Sequence, residues 1–138
     1  MRLNHIALSV PDLEESVKWY KEILGFKELG RMVIPHNGVS IAFIKGGDFC
    51  LELLNVPGAK PLPPDRSHPD EDNRTHGVKH ICITVDNGRE FVEGLRKKGV
   101  KVVFEPEGMP AYGAFINDNT GNIIEIIDSS FDLEQMEH

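Results

Sequence analysis

Val78-Lys79-His80-Ile81-Cys82-Ile83-Thr84-Val85-Asp86 follows the same order of residue types as Leu3-Asn4-His5-Ile6-Ala7-Leu8-Ser9-Val10-Pro11 near the start of the chain. A histidine stands third in each. The echo continues downstream, where Ser40-Ile41-Ala42-Phe43-Ile44 returns as Tyr112-Gly113-Ala114-Phe115-Ile116. Leu51-Glu52-Leu53-Leu54 returns as Ile124-Glu125-Ile126-Ile127. An internal repeat decides the architecture before any single element does. Here each copy carries one His near its start and one Glu near its end.

Around these stretches the chain reads as β-α-β-β-β, twice. In residues 3–10, Ile6, Leu8 and Val10 alternate with His5, Ala7 and Ser9, the period of a strand. Asp12 with Glu15 makes a capping box, and Leu13, Val17, Tyr20 and Leu24 recur at helical spacing up to a stop at Gly25. Strands are expected over 26–34, 39–44 and 49–55, with Pro35-His36-Asn37-Gly38 and Gly46-Gly47-Asp48 as turns. The second copy predicts a strand at 78–85, a helix at about 88–98, and strands near 100–105, 111–117 and 122–128. The fold class is therefore α+β, with two βαβββ modules in tandem. A single domain over 1–138 divides into a first module at 1–56, a linker at 57–76 and a second module at 77–128.

The linker is Pro-rich, holding five of the nine prolines, and its lack of periodicity suits a lid or binding loop. His68 and His76 lie in it. The polar tail after Asp128 is expected to be a short helix or frayed.

At 138 residues the chain can bury roughly two thirds of its unfolded surface as one domain. A net charge of -7 argues against nucleic acid or an anionic membrane as partner. The basic run Arg96-Lys97-Lys98 sits where a helix ends and suits its dipole. No apolar run approaches the ~20 residues of a membrane span, and the start shows no signal-peptide pattern. A cytoplasmic location is expected, with Cys50 and Cys82 as buried free thiols in apolar strands.

Strand parity gives His5, Ala7 and Ser9 one face and His80, Cys82 and Thr84 the matching one. Small residues on these faces leave room for a cavity, while the aliphatic opposite faces suit a covering helix. Glu52 and Glu125 each interrupt an apolar strand, where an ionised carboxylate needs a partner. A divalent metal would satisfy all four side chains. Imidazole and carboxylate donors without thiolate suit Fe(II), Mn, Co, Ni or Zn with coordination positions left open.

These residues also carry a resemblance. His5-Ile-Ala-Leu-Ser-Val-Pro-Asp-Leu13, Trp19-Tyr20 through Leu24-Gly25-Phe26, Leu51-Glu52-Leu53, His80-Ile-Cys-Ile-Thr-Val-Asp86 and Asn119-Thr-Gly-Asn-Ile-Ile-Glu-Ile127 together resemble the vicinal oxygen chelate superfamily. That group contains glyoxalase I, methylmalonyl-CoA epimerase, extradiol dioxygenases and bleomycin- or fosfomycin-resistance proteins. The resemblance covers nearly the whole chain outside the linker and tail. It implies paired modules forming a curved mixed sheet around a metal, with His5, Glu52, His80 and Glu125 as ligands.

Among the activities in that group, the ligand set is most similar to microbial glyoxalase I. It implies a lyase or isomerase in which Glu52 or Glu125 abstracts a proton beside a carbonyl and the metal stabilises the resulting enediolate. An Fe(II) ring-cleaving dioxygenase using His5, His80 and Glu125 is the alternative. A non-catalytic small-molecule binding or resistance protein is the third reading. Glutathione-dependent members carry an arginine where this chain has Ser9 and an asparagine where it has Val56, with Asn55 one place off. A different thiol adduct, a CoA ester or a hydroxy-ketone is therefore the expected substrate. Open strand edges and the family's habit of edge pairing point to a homodimer.

Overall fold

The computed structural model describes residues 1–136 and divides into two compact units, Met1–Pro61 and Leu62–His138. In the first unit, strand β1 (Ile6–Ser9) leads into helix α1 (Leu13–Leu24), then strands β2 (Lys27–Val33), β3 (Ser40–Gly46) and β4 (Phe49–Asn55). The sheet order is β1-β4-β3-β2, with β1 parallel to β4 and the other pairs antiparallel. In the second unit a short helix α2 (Pro69–Asp72) precedes strand β5 (Ile81–Val85) and helix α3 (Gly88–Lys97). Strands β6 (Val102–Phe104), β7 (Gly113–Asn117) and β8 (Ile123–Asp128) follow. Their order is β5-β8-β7-β6, again with one parallel pair at the edge. The expected β-α-β-β-β plan is present in both copies, as two four-stranded mixed sheets.

The cores follow from parity. Leu51 and Leu53 on β4 stand beside Ala42 and Ile44 on β3, all buried, and α1 covers them with Val17 and Tyr20. In the second unit Ile81, Ile124, Ile126, Ala114 and Ile116 are buried together with Val92 and Leu95 of α3. The two helices start differently. Asp12 caps α1 by accepting from the Glu15 N–H, as the capping box predicts. Asn87 makes no cap hydrogen bond and sits at φ 52, so the first turn of α3 is capped from β8 instead: Asp128 Oδ2 accepts from the Gly88 N–H at 2.6 Å. That bond, with those from Ser130, holds the Asp128 carboxyl down at about 2.

Two expectations need correction. The His-bearing strands are shorter than the alternation predicts: pairing begins at Ile6 and Ile81, leaving Leu3 and Val78 strongly exposed. In the second copy the cause is visible, because the Val78 carbonyl accepts from Arg66 and the Lys79 ammonium donates to the carbonyls of Asp72 and Thr75. These bonds draw 78–79 toward α2 and away from the sheet. Neither cysteine is buried, although both are free. Cys50 shares the open face of Glu52, and Cys82 that of His80; only the opposite faces lie under helices.

The stretch expected as a loop is built. A 3-10 turn at Pro64–Arg66 and α2 are locked around Asp72, a carboxylate with almost no exposure that meets Arg66 Nε at 3.0 Å and Lys79 Nζ at 3.3 Å. Asn117 on β7 donates to the Ser67 carbonyl at 2.8 Å, seating the segment against the second sheet. The tail carries a 3-10 turn at Leu133–Gln135, in line with the expected short helix. No helix among the described residues is long and apolar enough to cross a membrane.

Candidate functional site

Each copy brings its own His and Glu together. His5 Nε2 lies 2.8 Å from Glu52 Oε2, and His80 Nε2 lies 2.9 Å from Glu125 Oε2. The carboxylates are largely withdrawn from water, with side chains 16% and 18% exposed, while the imidazoles are about twice as open at 34% and 30%. Both pairs hang on the same scaffold. Each His stands one residue before its edge strand, and each Glu sits mid-way along the adjacent parallel strand.

Register extends the match across the sheet. In the first unit Ala7, Glu52, Phe43 and Gly30 lie in one row across four strands. In the second the row is Cys82, Glu125, Phe115 and Phe104. Phe43 meets the His5 ring edge-on with centroids 5.7 Å apart, and Phe115 meets the His80 ring in the same way at 5.3 Å. Sequence reasoning did not single out these two phenylalanines, although they stand at matching positions in the repeated Ala-Phe-Ile segments. They back each imidazole with an apolar wall, which strengthens charge interactions by excluding water.

The polar surroundings of the pairs differ. Asn4 Oδ1 lies 2.6 Å from His5 Nδ1. An amide oxygen only accepts, so this contact places a ring proton on Nδ1 and turns Nε2 to Glu52. In that tautomer Nε2 and the carboxylate oxygen are both acceptors, so a proton or a metal ion has to lie between them. In the other unit the Cys82 thiol lies beside Glu125. Desolvation first, and then the charge and hydrogen bonding of Glu125, push it up to about 12, so it stays a neutral S–H next to the carboxylate.

The donor chemistry fits a divalent metal. Imidazole nitrogen and carboxylate oxygen bound to one ion at about 2.0–2.2 Å and near a right angle stand roughly 3 Å apart, as both pairs do. The contact of Asn4 with His5 Nδ1 is of the kind that would orient that imidazole if Nε2 took a metal. Among the described residues no group of three or more His, Cys, Asp or Glu side chains is gathered, and each unit offers two donors.

Other candidates separate from the pairs. His76 is exposed, whereas His68 caps α2 and packs on Phe104. Asn55 holds the β1–α1 connection, donating to the carbonyls of Val10 and Pro11 at 3.0 and 2.9 Å. Ser9 is exposed on the His5 face.

Known proteins resemble this chain over most of its length. The family model described as Glyoxalase/Bleomycin resistance protein/Dioxygenase superfamily matches residues 2–126. The mitochondrial methylmalonyl-CoA epimerase of Homo sapiens is 37% identical over 116 residues, covering 81% of this chain; the chain spans only 62% of the human protein's length. Lactoylglutathione lyase of Salmonella typhimurium is 30% identical over 136 residues, covering 94% of this chain and 93% of the lyase. Among solved structures, the trypanothione-dependent glyoxalase I of Leishmania major superposes with a TM-score of 0.74 at 28% identity, covering 94% of this chain and 88% of that one.

Proposed function

The chain belongs to the Glyoxalase/Bleomycin resistance protein/Dioxygenase superfamily, and from that premise we propose that it is a metal-dependent isomerase of the epimerase kind. Its substrate would be an acyl thioester of coenzyme A, and its reaction the removal and return of the proton on the carbon beside the thioester carbonyl. The observation that carries this reading is the duplicated His–Glu contact, at 2.8 and 2.9 Å. Inverting a carbon centre means taking a proton from one face and delivering one to the other, which calls for two acid–base groups. Glu52 and Glu125 are two carboxylates in matching settings, each shielded from water and each steadied by an imidazole.

His5, Glu52, His80 and Glu125 would hold the metal ion, with Ni, Co, Zn, Mn and Fe(II) all suited to such donors. When bound, a divalent cation supplies Lewis-acid stabilisation of the negative charge that proton removal leaves on the carbonyl oxygen. The residues themselves hold the proton and keep water out: Glu52 or Glu125 accepts it, and Phe43 and Phe115 wall the imidazoles. Ser9 and the engaged Asn55 disfavour glutathione as the thiol. The greater likeness to the epimerase than to the lyase favours a CoA ester.

The test is isotope exchange. Metal-loaded protein incubated in D₂O with a single epimer of methylmalonyl-CoA is expected to place deuterium at the carbon between the two carbonyl groups while the epimers equilibrate. Absence of exchange, together with oxygen uptake on a catechol, would transfer the protein to the dioxygenase reading.

We further propose that the protein works as a homodimer. The support is β2, an edge strand with all seven residues exposed, including Leu29, Met32 and Val33. Sedimentation velocity at micromolar concentration is expected to show a dimer; a lone monomer peak would refute it.

A further inference from the structure

The two copies match from the His to the Phe and then part. In the first unit the row across the sheet ends at Gly30, with open space where a β-carbon would be. In the second it ends at Phe104, and on Phe104 rests His68, ring centroids 5.8 Å apart. Phe104 in turn lies 6.2 Å from Phe115, the ring that walls His80. Strands stand about 4.8 Å apart, so Glu125 and His68 are separated by an aromatic floor roughly 10 Å wide. His68 belongs to the connector and has no counterpart in the first copy.

The hydrogen bonding of His68 fixes what it offers. Its Nδ1 accepts from the Asp70 N–H at 3.3 Å, which leaves the proton of the neutral ring on Nε2. That Nε2–H is the ring's remaining donor. The neighbouring cations are committed elsewhere: Arg66 to Asp72 and the Val78 carbonyl, Lys79 to Asp72 and the carbonyls of Asp72 and Thr75. A single neutral donor at the end of an apolar floor suits a neutral acceptor on a largely aliphatic chain, not a phosphate. The segment is rigidly placed, since Asn117 holds the Ser67 carbonyl and the Asp72 ion cluster holds α2.

We propose that His68 is a substrate-binding residue: the thiol-carrying arm of the substrate lies along Phe115 and Phe104, and an amide carbonyl of that arm accepts from His68 Nε2–H. The inference rests on the thioester reading above and names the part of the substrate that the second unit recognises. It gives the asymmetry of the repeat a purpose, with both copies supplying acid–base and metal-binding groups and the second also gripping the carrier.

The experiment compares two thioesters and one turnover-free ligand. His68→Leu is expected to raise KM for the methylmalonyl ester of CoA about 10-fold, the value of one hydrogen bond to a neutral group, while kcat holds within about twofold. The same acyl group on methanethiol, which has no amides, is expected to react equally well with both proteins. His68→Gln, which keeps an N–H donor, is expected to recover most of the loss. Free pantetheine, titrated calorimetrically against metal-loaded protein, is expected to bind about 10-fold more weakly to His68→Leu. Equal losses on both thioesters, or unchanged KM for the CoA ester, would overturn the assignment. If the parent protein turned over neither thioester, the functional reading would fall, and the pantetheine titration would still decide on His68: weaker binding supports the carrier contact and unchanged binding removes it.

Discussion

His80→Ala protein is expected to bind divalent metal more than about 100-fold more weakly than the parent, and His5→Ala protein likewise. Loss of an outer hydrogen-bonding partner alone costs about 10–100-fold in metal affinity, so loss of a ligand should exceed that. The fold should survive both changes. Each His precedes the first paired residue of its strand and leaves about a third of its side chain in water. Truncation there removes little buried surface, and the stability change should be within about 1 kcal/mol. Equilibrium dialysis with Co(II), followed by visible absorption, measures affinity and coordination together, and thermal melts of the apo proteins check the fold. Full metal occupancy in both variants would end the case for a metal centre built on these residues.

The second expectation concerns the carboxylates. Glutamine can still coordinate through its oxygen but cannot take up a proton at neutral pH. If the reaction is proton transfer, Glu52→Gln and Glu125→Gln should keep much of their metal, while at least one loses turnover by the 10²–10⁴ usual for a lost general base, and by more if ligation also suffers. An Fe(II) dioxygenase gives a different pattern. There His5, His80 and Glu125 do the work, Glu52→Gln is nearly silent, and Glu125→Gln loses iron or oxygen activity. Initial rates of deuterium exchange and of oxygen uptake, taken on the same preparations, separate the two. Oxygen uptake with a catechol that is untouched by Glu52→Gln would overturn the proton-transfer assignment.

The legible parts of the chain were those governed by periodicity. Alternation around Ile6–Val10 and Ile81–Val85 and the 3.6-residue recurrence of Leu13, Val17, Tyr20 and Leu24 specify strand and helix, because one face of each must be buried. The repeat itself singled out His5, Glu52, His80 and Glu125, since each copy carries one His near its start and one Glu near its end, though not that each His would meet the Glu of its own copy. What escaped was set by contacts with no local period. Whether 78–79 join the sheet depends on Arg66 and Lys79 finding carbonyls in α2. The cap of α3 comes from Asp128, 40 residues away in sequence. The order within 62–76 depends on Asp72 gathering two cations, a feature indistinguishable in sequence from any charged loop. An apolar strand pattern suggests burial on both sides, yet Cys82 is exposed because its His80 face is the open one.

That connector belongs to one side of the repeat only. The first unit ends at Pro61, and everything from Leu62 onward, including the 3-10 turn, α2 and His68, folds with the second. The two βαβββ units are therefore unequal in extent, the second holding most of the connector between the repeats. Residues 57–61 are all exposed, while Arg66, His68, Asp72 and Lys79 are held by folded neighbours. The seam of the molecule is thus five residues long, although the gap in its repeat is four times that.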